Sequence, residues 1–104
     1  MTKYEILVAG KAEKYLEGLK GKNEAYKALI IMTIKFCLGE HLLDRNTSCN
    51  MKKIKGTKRT HRLHVQRAYT VFYVVEKTKE KTVVEVHLIT TFEEAHQLYG
   101  RIDL

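Results

Sequence analysis

Two hydrophobic periods divide the chain. Tyr4 to Val8 is short, apolar and β-branched at its end, which predicts a strand, and Gly10 breaks it. Ala12, Tyr15, Leu16 and Leu19 then recur at helical spacing, with Lys11, Glu13, Lys14 and Glu17 outside the stripe. Gly18 and Gly21 end that helix. A second helix is expected from an Asn23 cap to about Leu38, where Gly39 suits a left-handed C-terminal position. Its apolar residues cover more than one stripe, so it is either sandwiched in the core or keeps a second apolar face for a partner. Glu40 to Asn50 reads as a polar connection.

Period two returns afterwards. Leu63 and Val65 point one way and Arg62, His64 and Gln66 the other, the pattern of a half-buried strand with a cationic outer face. His61 shares parity with Leu63 and reads as strand-end packing. Tyr69 to Glu76 is apolar on both faces and should be central in its sheet. Lys77 to Lys81 is a charged hairpin loop. Thr82 to Thr90 follows, with Val84, Val86 and Leu88 inward and Glu85 and His87 outward. Glu93 to Tyr99 predicts a short last helix. The order β-α-α-β-β-β with a terminal helix gives an α+β fold, an antiparallel sheet with the two N-terminal helices on one face. If the middle strand of the last three lies between its neighbours, Arg62 and His64 face Glu85 and His87 across an open sheet surface about 10 Å wide.

The length of 104 residues fits one domain spanning 1–104. The longest apolar stretch, Ala28 to Leu38, is broken by Thr33 and Lys35 and is too short for a bilayer. With no signal-peptide pattern at the N-terminus, a cytoplasmic protein without membrane contact is expected. Cys37 lies in an apolar helical stretch and reads as packing. Cys49 lies in the polar connection, and two cysteines do not make a disulfide framework. A zinc site combining Cys49 with His61 and His64 lacks the usual paired cysteine, so no metal and no cofactor is expected.

Charge changes this picture. Lys52, Lys53, Lys55, Lys58, Arg59, Arg62 and Arg67 fall in one block with no acid among them. Elsewhere the chain holds 12 basic and 12 acidic side chains, so the block accounts for the whole formal charge of +7. Concentrated in this way, the charge is the footprint of a polyanion-binding face. His61 and His64 lie inside it and add acid–base capacity near neutral pH.

The order of these segments resembles the RelE/ParE toxin superfamily. Met-Lys-Lys-Ile-Lys-Gly, then His-Arg-Leu-His-Val-Gln-Arg-Ala-Tyr-Thr-Val-Phe-Tyr-Val-Val, a final Val-Val-Glu-Val-His-Leu-Ile strand and a late tyrosine carry the likeness over nearly the whole chain. For RelE-type members it implies a ribosome-dependent endoribonuclease that cuts mRNA by attack of a ribose 2′-OH on the neighbouring phosphate. Such an enzyme needs no metal and is restrained by a small antitoxin. The reaction calls for a base, an acid and cations for the developing charge.

By that resemblance, Lys53 and Lys55 match the basic pair before the family glycine, here Gly56. Arg62 and His64 match the outward positions of the next strand, and Tyr99 the late tyrosine. These imply Lys53, Lys55, His64 and Tyr99 as the catalytic set. Lys52, Lys58, Arg59, Arg62 and Arg67 would be the RNA-binding set, and His96 a second candidate beside Tyr99. The sequence also departs from the pattern. Gln66, Thr70, Thr91 and Phe92 stand where active members carry basic residues, and neither threonine nor phenylalanine can clamp phosphate as a guanidinium does. The basic block therefore favours an mRNA-cleaving enzyme with a degenerate site. The missing arginines favour a ParE-like toxin that binds DNA gyrase, or a non-catalytic nucleic-acid-binding member. All three readings allow an acidic antitoxin that orders on contact, and none implies an oligomeric state.

Overall fold

The computed structural model describes residues 4–43 and 48–104. Strand β1 (Glu5–Val8) leads into α1 (Gly10–Glu17), a single 3-10 turn (Gly21–Asn23) and α2 (Glu24–Thr33), which widens into a π-helical segment, Ile34–Glu40. Four strands follow: β2 (Asn50–Lys53), β3 (His61–Val65), β4 (Tyr69–Lys77) and β5 (Thr82–Thr91). Helix α3 (Phe92–Leu98) comes last. The sheet order is β1-β5-β4-β3-β2, with β1 parallel to β5 and every other pair antiparallel. The expected α+β fold is present, as a mixed sheet rather than a purely antiparallel one.

Both faces of the sheet are covered. On one, Ala12, Leu16, Ile30, Ile34 and Leu38 pack against Leu63, Val71, Val84, Val86 and Ile89. On the other, Phe72, Ile54 and Ala95 form a smaller core with Leu88, Leu98, Tyr99 and Ile102. Strand β4, apolar on both faces, needs apolar cover on each, and it lies in the middle of the sheet as expected.

Several local expectations change. Asn23 makes no side-chain cap and belongs to the 3-10 turn. Gly39 is no left-handed terminator: it is buried in the π-helical segment, where its carbonyl accepts from Tyr4 N–H at 3.1 Å. The second helix is not sandwiched. Ile30 and Ile34 are buried, while Met32 is 67% exposed and Phe36 40%.

The polar connection ends in a strand that periodicity missed. Strand β2 has only four residues, three of them polar, which is typical of a lysine-bearing sheet edge. A register shift between Phe72 and Tyr73 opposes Phe72 to Leu88 but Tyr73 to Val86. This bulge moves Leu88 to the α3 side and gives its expected place to Ile89.

Cys37 and Cys49 form a disulfide. Cys37 is buried as expected, but it is joined to the residue directly before β2 and not merely packed. The bond also withdraws Cys49 from any metal site. Closing a loop with a separation of 12 residues restricts the unfolded chain by about 3 kcal/mol. Cys37→Ser/Cys49→Ser should therefore melt about 10–20 °C lower than the oxidised protein by calorimetry. Equal melting temperatures would show that the bond contributes nothing.

Candidate active site

The lysine motif is built around its isoleucine. Ile54 is buried in the smaller core, and its N–H donates to Thr60 O at 2.8 Å. The Thr57 hydroxyl donates to Ile54 O at 2.7 Å. Gly56 turns the chain at φ +89°, a left-handed conformation open to glycine and costly for side chains with a Cβ. Lys55 thus stands at the start of a fixed turn.

Strand register then sorts the cations. Lys52 lies opposite Arg62, and Arg62 opposite Phe72, which places Lys52 and Arg62 on the α3 face. Lys53 lies opposite His61, and its charge lowers the His61 pKa together with burial, the larger cause. His61 stacks on Tyr73 with ring centroids 5.3 Å apart, the packing role its parity predicted.

A groove of about 440 Å3 runs along this edge, lined by Lys52, Lys53, Lys55, Arg62, Tyr99 and Gly100, with Ile54 at its floor. It gathers Lys53, Lys55 and Tyr99 of the expected catalytic set beside Lys52 and Arg62 of the expected RNA-binding set. Lys53 borders the groove from the strand position that faces His61. The Arg62 guanidinium donates to Asn50 Oδ1 at 3.3 Å.

The other expected cations sit elsewhere. Arg59 pairs with Glu76 and donates to Leu104 O at 3.0 Å, tying down the C-terminus. Lys58 and Arg67 are exposed and are not among the residues that line this groove. Arg67 shares a tight turn with Gln66, whose φ is +55°. Gln66 therefore lies beyond the strand end and does not extend the outward face of β3.

His64 sits beside this groove. Its Nδ1 is 2.8 Å from the Thr70 hydroxyl and its Nε2 is 3.2 Å from the Tyr99 hydroxyl. Phe92 packs on its ring at 4.7 Å. His96 packs on Phe92 at 4.6 Å and on Tyr99 at 5.2 Å, and its Nδ1–H donates to Phe92 O at 2.8 Å.

Burial, then the charges of Arg62 and His96, lower the His64 pKa from 6.5 to about 4, so its imidazole is neutral at pH 7. Burial raises the Tyr99 pKa, opposed by the Arg62 charge and by the nearby Thr70 side chain. Glu85 and His87 are not across an open face from these groups. Phe72, Leu88 and α3 fill the space between, and His87 Nε2 pairs with Glu85 Oε2 at 3.2 Å.

Three of the departures from the toxin pattern have structural roles. Thr91 caps α3, accepting from Glu94 N–H at 3.2 Å and donating to Glu94 Oε1 at 3.1 Å. Phe92 supplies the ring on which both histidines pack. Thr70, fully buried, supplies the partner of His64.

The depressed His64 pKa has a consequence for stability. The unfolded chain takes up a proton near pH 6.5, whereas the folded site resists until about pH 4. Stability is thus complete above pH 6.5 and is lost as pH falls between those values. His61 acts in the same direction. The melting temperature should drop by several degrees from pH 7 to 4, and His64→Gln should drop less. Parallel curves for the two proteins would refute the assignment to His64.

No protein-family model matches the chain, and no curated protein matches it in sequence. Two solved structures match in fold. A chain of the archaeal RelE–RelB complex from Pyrococcus horikoshii OT3 superposes with a TM-score of 0.61 at 15% identity, covering 86% of this chain and 96% of that one. A chain of the RelB–RelE antitoxin–toxin complex from Methanococcus jannaschii gives 0.57 at 19% identity, covering 86% and 94%. The chain has the fold of these RelE–RelB complex chains. In this version of the RelE fold, one sheet edge carries the cationic groove, and the last helix brings Tyr99 and His96 against His64. No helix among the described residues is long and apolar enough to cross a membrane.

Proposed function

We propose that this chain is the toxin of a toxin–antitoxin pair and a ribosome-dependent mRNA endoribonuclease. The observation that carries the reading is the convergence of Lys52, Lys53, Lys55 and Arg62 on one groove with the Tyr99–His64 hydrogen bond at its side. Cations alone bind phosphate. Cations beside a coupled phenol and neutral imidazole can also move a proton.

In the proposed reaction the scissile phosphate lies against Lys52 and Arg62, with Lys55 at the groove mouth. The ribose 2′-OH gives its proton to the Tyr99 oxygen as the Tyr99 proton passes to His64 Nε2. The O2′–P bond forms and the P–O5′ bond breaks, and a groove ammonium protonates the leaving oxygen. Charge developing on the phosphoryl oxygens falls beside Arg62, whose fork geometry suits it. A 2′-OH nucleophile confines the substrate to RNA. The phosphate charge also offsets the Arg62 and His96 fields, which eases proton uptake by His64 in the complex.

The antitoxin belongs to the same reading. The two structural neighbours were solved as RelE–RelB complexes. Here Leu7 and Val8 on the β1 edge and Met32 and Phe36 on the second helix are exposed apolar side chains that an ordering peptide can cover.

The test is a reconstituted translation reaction with cuts mapped by primer extension. Matched lanes lack ribosomes or carry Lys52→Ala/Arg62→Ala. Ribosome-dependent cuts that vanish in the double variant support the reading. Intact mRNA beside continuing translation ends it and moves weight to gyrase binding, which a supercoiling assay reads directly.

A further inference from the structure

Thr70 is a hydroxyl in a place that otherwise asks for an apolar residue. It lies in central strand β4, paired to His64 on β3 and to Thr90 on β5, with no exposed surface. Strand pairing on both sides fixes its backbone, and a β-branched side chain has few rotamers to choose among. Its Oγ1 is therefore a stationary atom, 2.8 Å from His64 Nδ1.

A neutral imidazole carries one N–H and one lone pair, and the partner of one nitrogen decides the role of the other. Two hydroxyls flank His64. Tyr99 is a phenol and the more acidic of the two, so it is the better donor and its O–H is directed at Nε2. Nδ1 must then hold the proton and donate to Thr70 Oγ1. The Thr70 hydroxyl thus serves His64 as an acceptor. Each ring nitrogen of His64 then has a partner of the opposite kind, one accepting and one donating. In keeping with this, no buried side-chain polar atom among the described residues lacks a partner.

We propose that Thr70 is a positioning residue: its buried hydroxyl holds His64 in the Nδ1–H tautomer and so presents Nε2 to the Tyr99 hydroxyl as a proton acceptor. This rests on the reaction proposed above, but its structural half stands apart from it. Thr70 touches no substrate. It acts through His64, as a carboxylate or carbonyl does behind the histidine of many acid–base sites.

Valine is the informative substitution, being nearly isosteric with threonine but without the hydroxyl. In Thr70→Val, Nδ1 has no partner, and the imidazole shifts toward the Nε2–H form, which donates to Tyr99 instead of accepting. The first measurement is the pair of ring 15N chemical shifts of His64 at pH 7 in the wild-type protein, where Nδ1 should carry the proton. The second repeats it in Thr70→Val and Thr70→Ser. The shifts should reverse in the valine variant and return in the serine variant.

Cleavage in the translation reaction should follow in parallel. The kcat should fall about 10–100-fold in Thr70→Val with KM within about twofold, and serine should restore it. A wild-type His64 protonated at Nε2 would overturn the proposal, and so would a tautomer that Thr70→Val leaves unchanged. The wild-type spectrum distinguishes the two tautomers even if the valine variant does not fold. If the tautomer behaves as stated and wild-type protein cuts no mRNA, the nuclease reading fails and the Thr70–His64 assignment survives.

Discussion

Tyr99→Phe should cut mRNA on the ribosome about 10²–10³-fold more slowly than wild type, with KM little changed. The substitution removes one oxygen. The ring remains, and with it the edge-on contact to Phe72 at 6.1 Å and the packing against His96. The groove cations are untouched, so ground-state binding of the RNA backbone should persist. What disappears is the atom between the 2′-OH and His64 Nε2 in the proposed relay. In the proposed relay His64 stands behind Tyr99 and receives the proton through it. A loss confined to kcat is the signature of an interaction made in the transition state. By contrast, Lys52→Ala and Arg62→Ala should change both parameters, because a phosphate contact serves substrate and transition state alike. Arg62→Lys should recover only part of the loss, since an ammonium lacks the bidentate fork. Undiminished cleavage by Tyr99→Phe would remove Tyr99 from the chemistry and leave His64 to meet the nucleophile directly.

The sequence pattern made some of this arrangement legible and hid the rest for identifiable reasons. The alternation of Leu63 and Val65 with Arg62 and His64 is a local property of one strand, and it survives folding unchanged. The doubly apolar run in β4 marks a central strand with cover on both faces, and both covers exist. Leu88 broke the pattern because a bulge reverses parity, and whether a strand bulges depends on its partner, not on its own residues.

Strand β2 was hidden for a related reason: an edge strand needs no apolar face, so four residues rich in lysine carry no hydrophobic signal. Its register with β3 gives Lys52 the place opposite Arg62 and turns Lys53 toward His61. The disulfide escaped because Cys37 and Cys49 meet through tertiary packing and not through any local motif.

Thr70 is the most instructive case. Compared with a basic toxin motif, it is a lost guanidinium. In three dimensions it is a buried hydroxyl on the histidine. Phe92 is similar, a missing cation in the pattern and a packing surface for two imidazoles in the fold. Pattern comparison registers what a residue is not, and only the neighbours show what it is.

Phe72→Ala is expected to be the most damaging single substitution in the protein, by about 3–5 kcal/mol. Phe72 is the largest fully buried side chain, with no exposed surface, and it anchors the smaller core on the α3 face. The other buried members among the described residues are Ile54 and Ala95, with Leu88, Leu98, Tyr99, Ile102 and Leu104 partly exposed around them, and these cannot close over an aromatic-sized void without moving α3. At about 4–8 °C per kcal/mol for a domain near this size, the melting temperature should fall by at least about 12 °C. Phe72→Leu keeps most of the volume and should lose about half as much.

Both effects should appear in the site as well as in the fold. Tyr99 rests edge-on against Phe72 with ring centroids 6.1 Å apart, so that ring helps to hold the phenol at His64 Nε2. A cavity there lets the phenol drop from His64 Nε2. At a temperature where both proteins are fully folded, Phe72→Leu should therefore cleave mRNA more slowly than wild type. A substitution of equal thermal cost on the opposite face, such as Val71→Ala, should not. Equal cleavage by the two variants would mean that the smaller core stabilises the sheet without aligning the tyrosine.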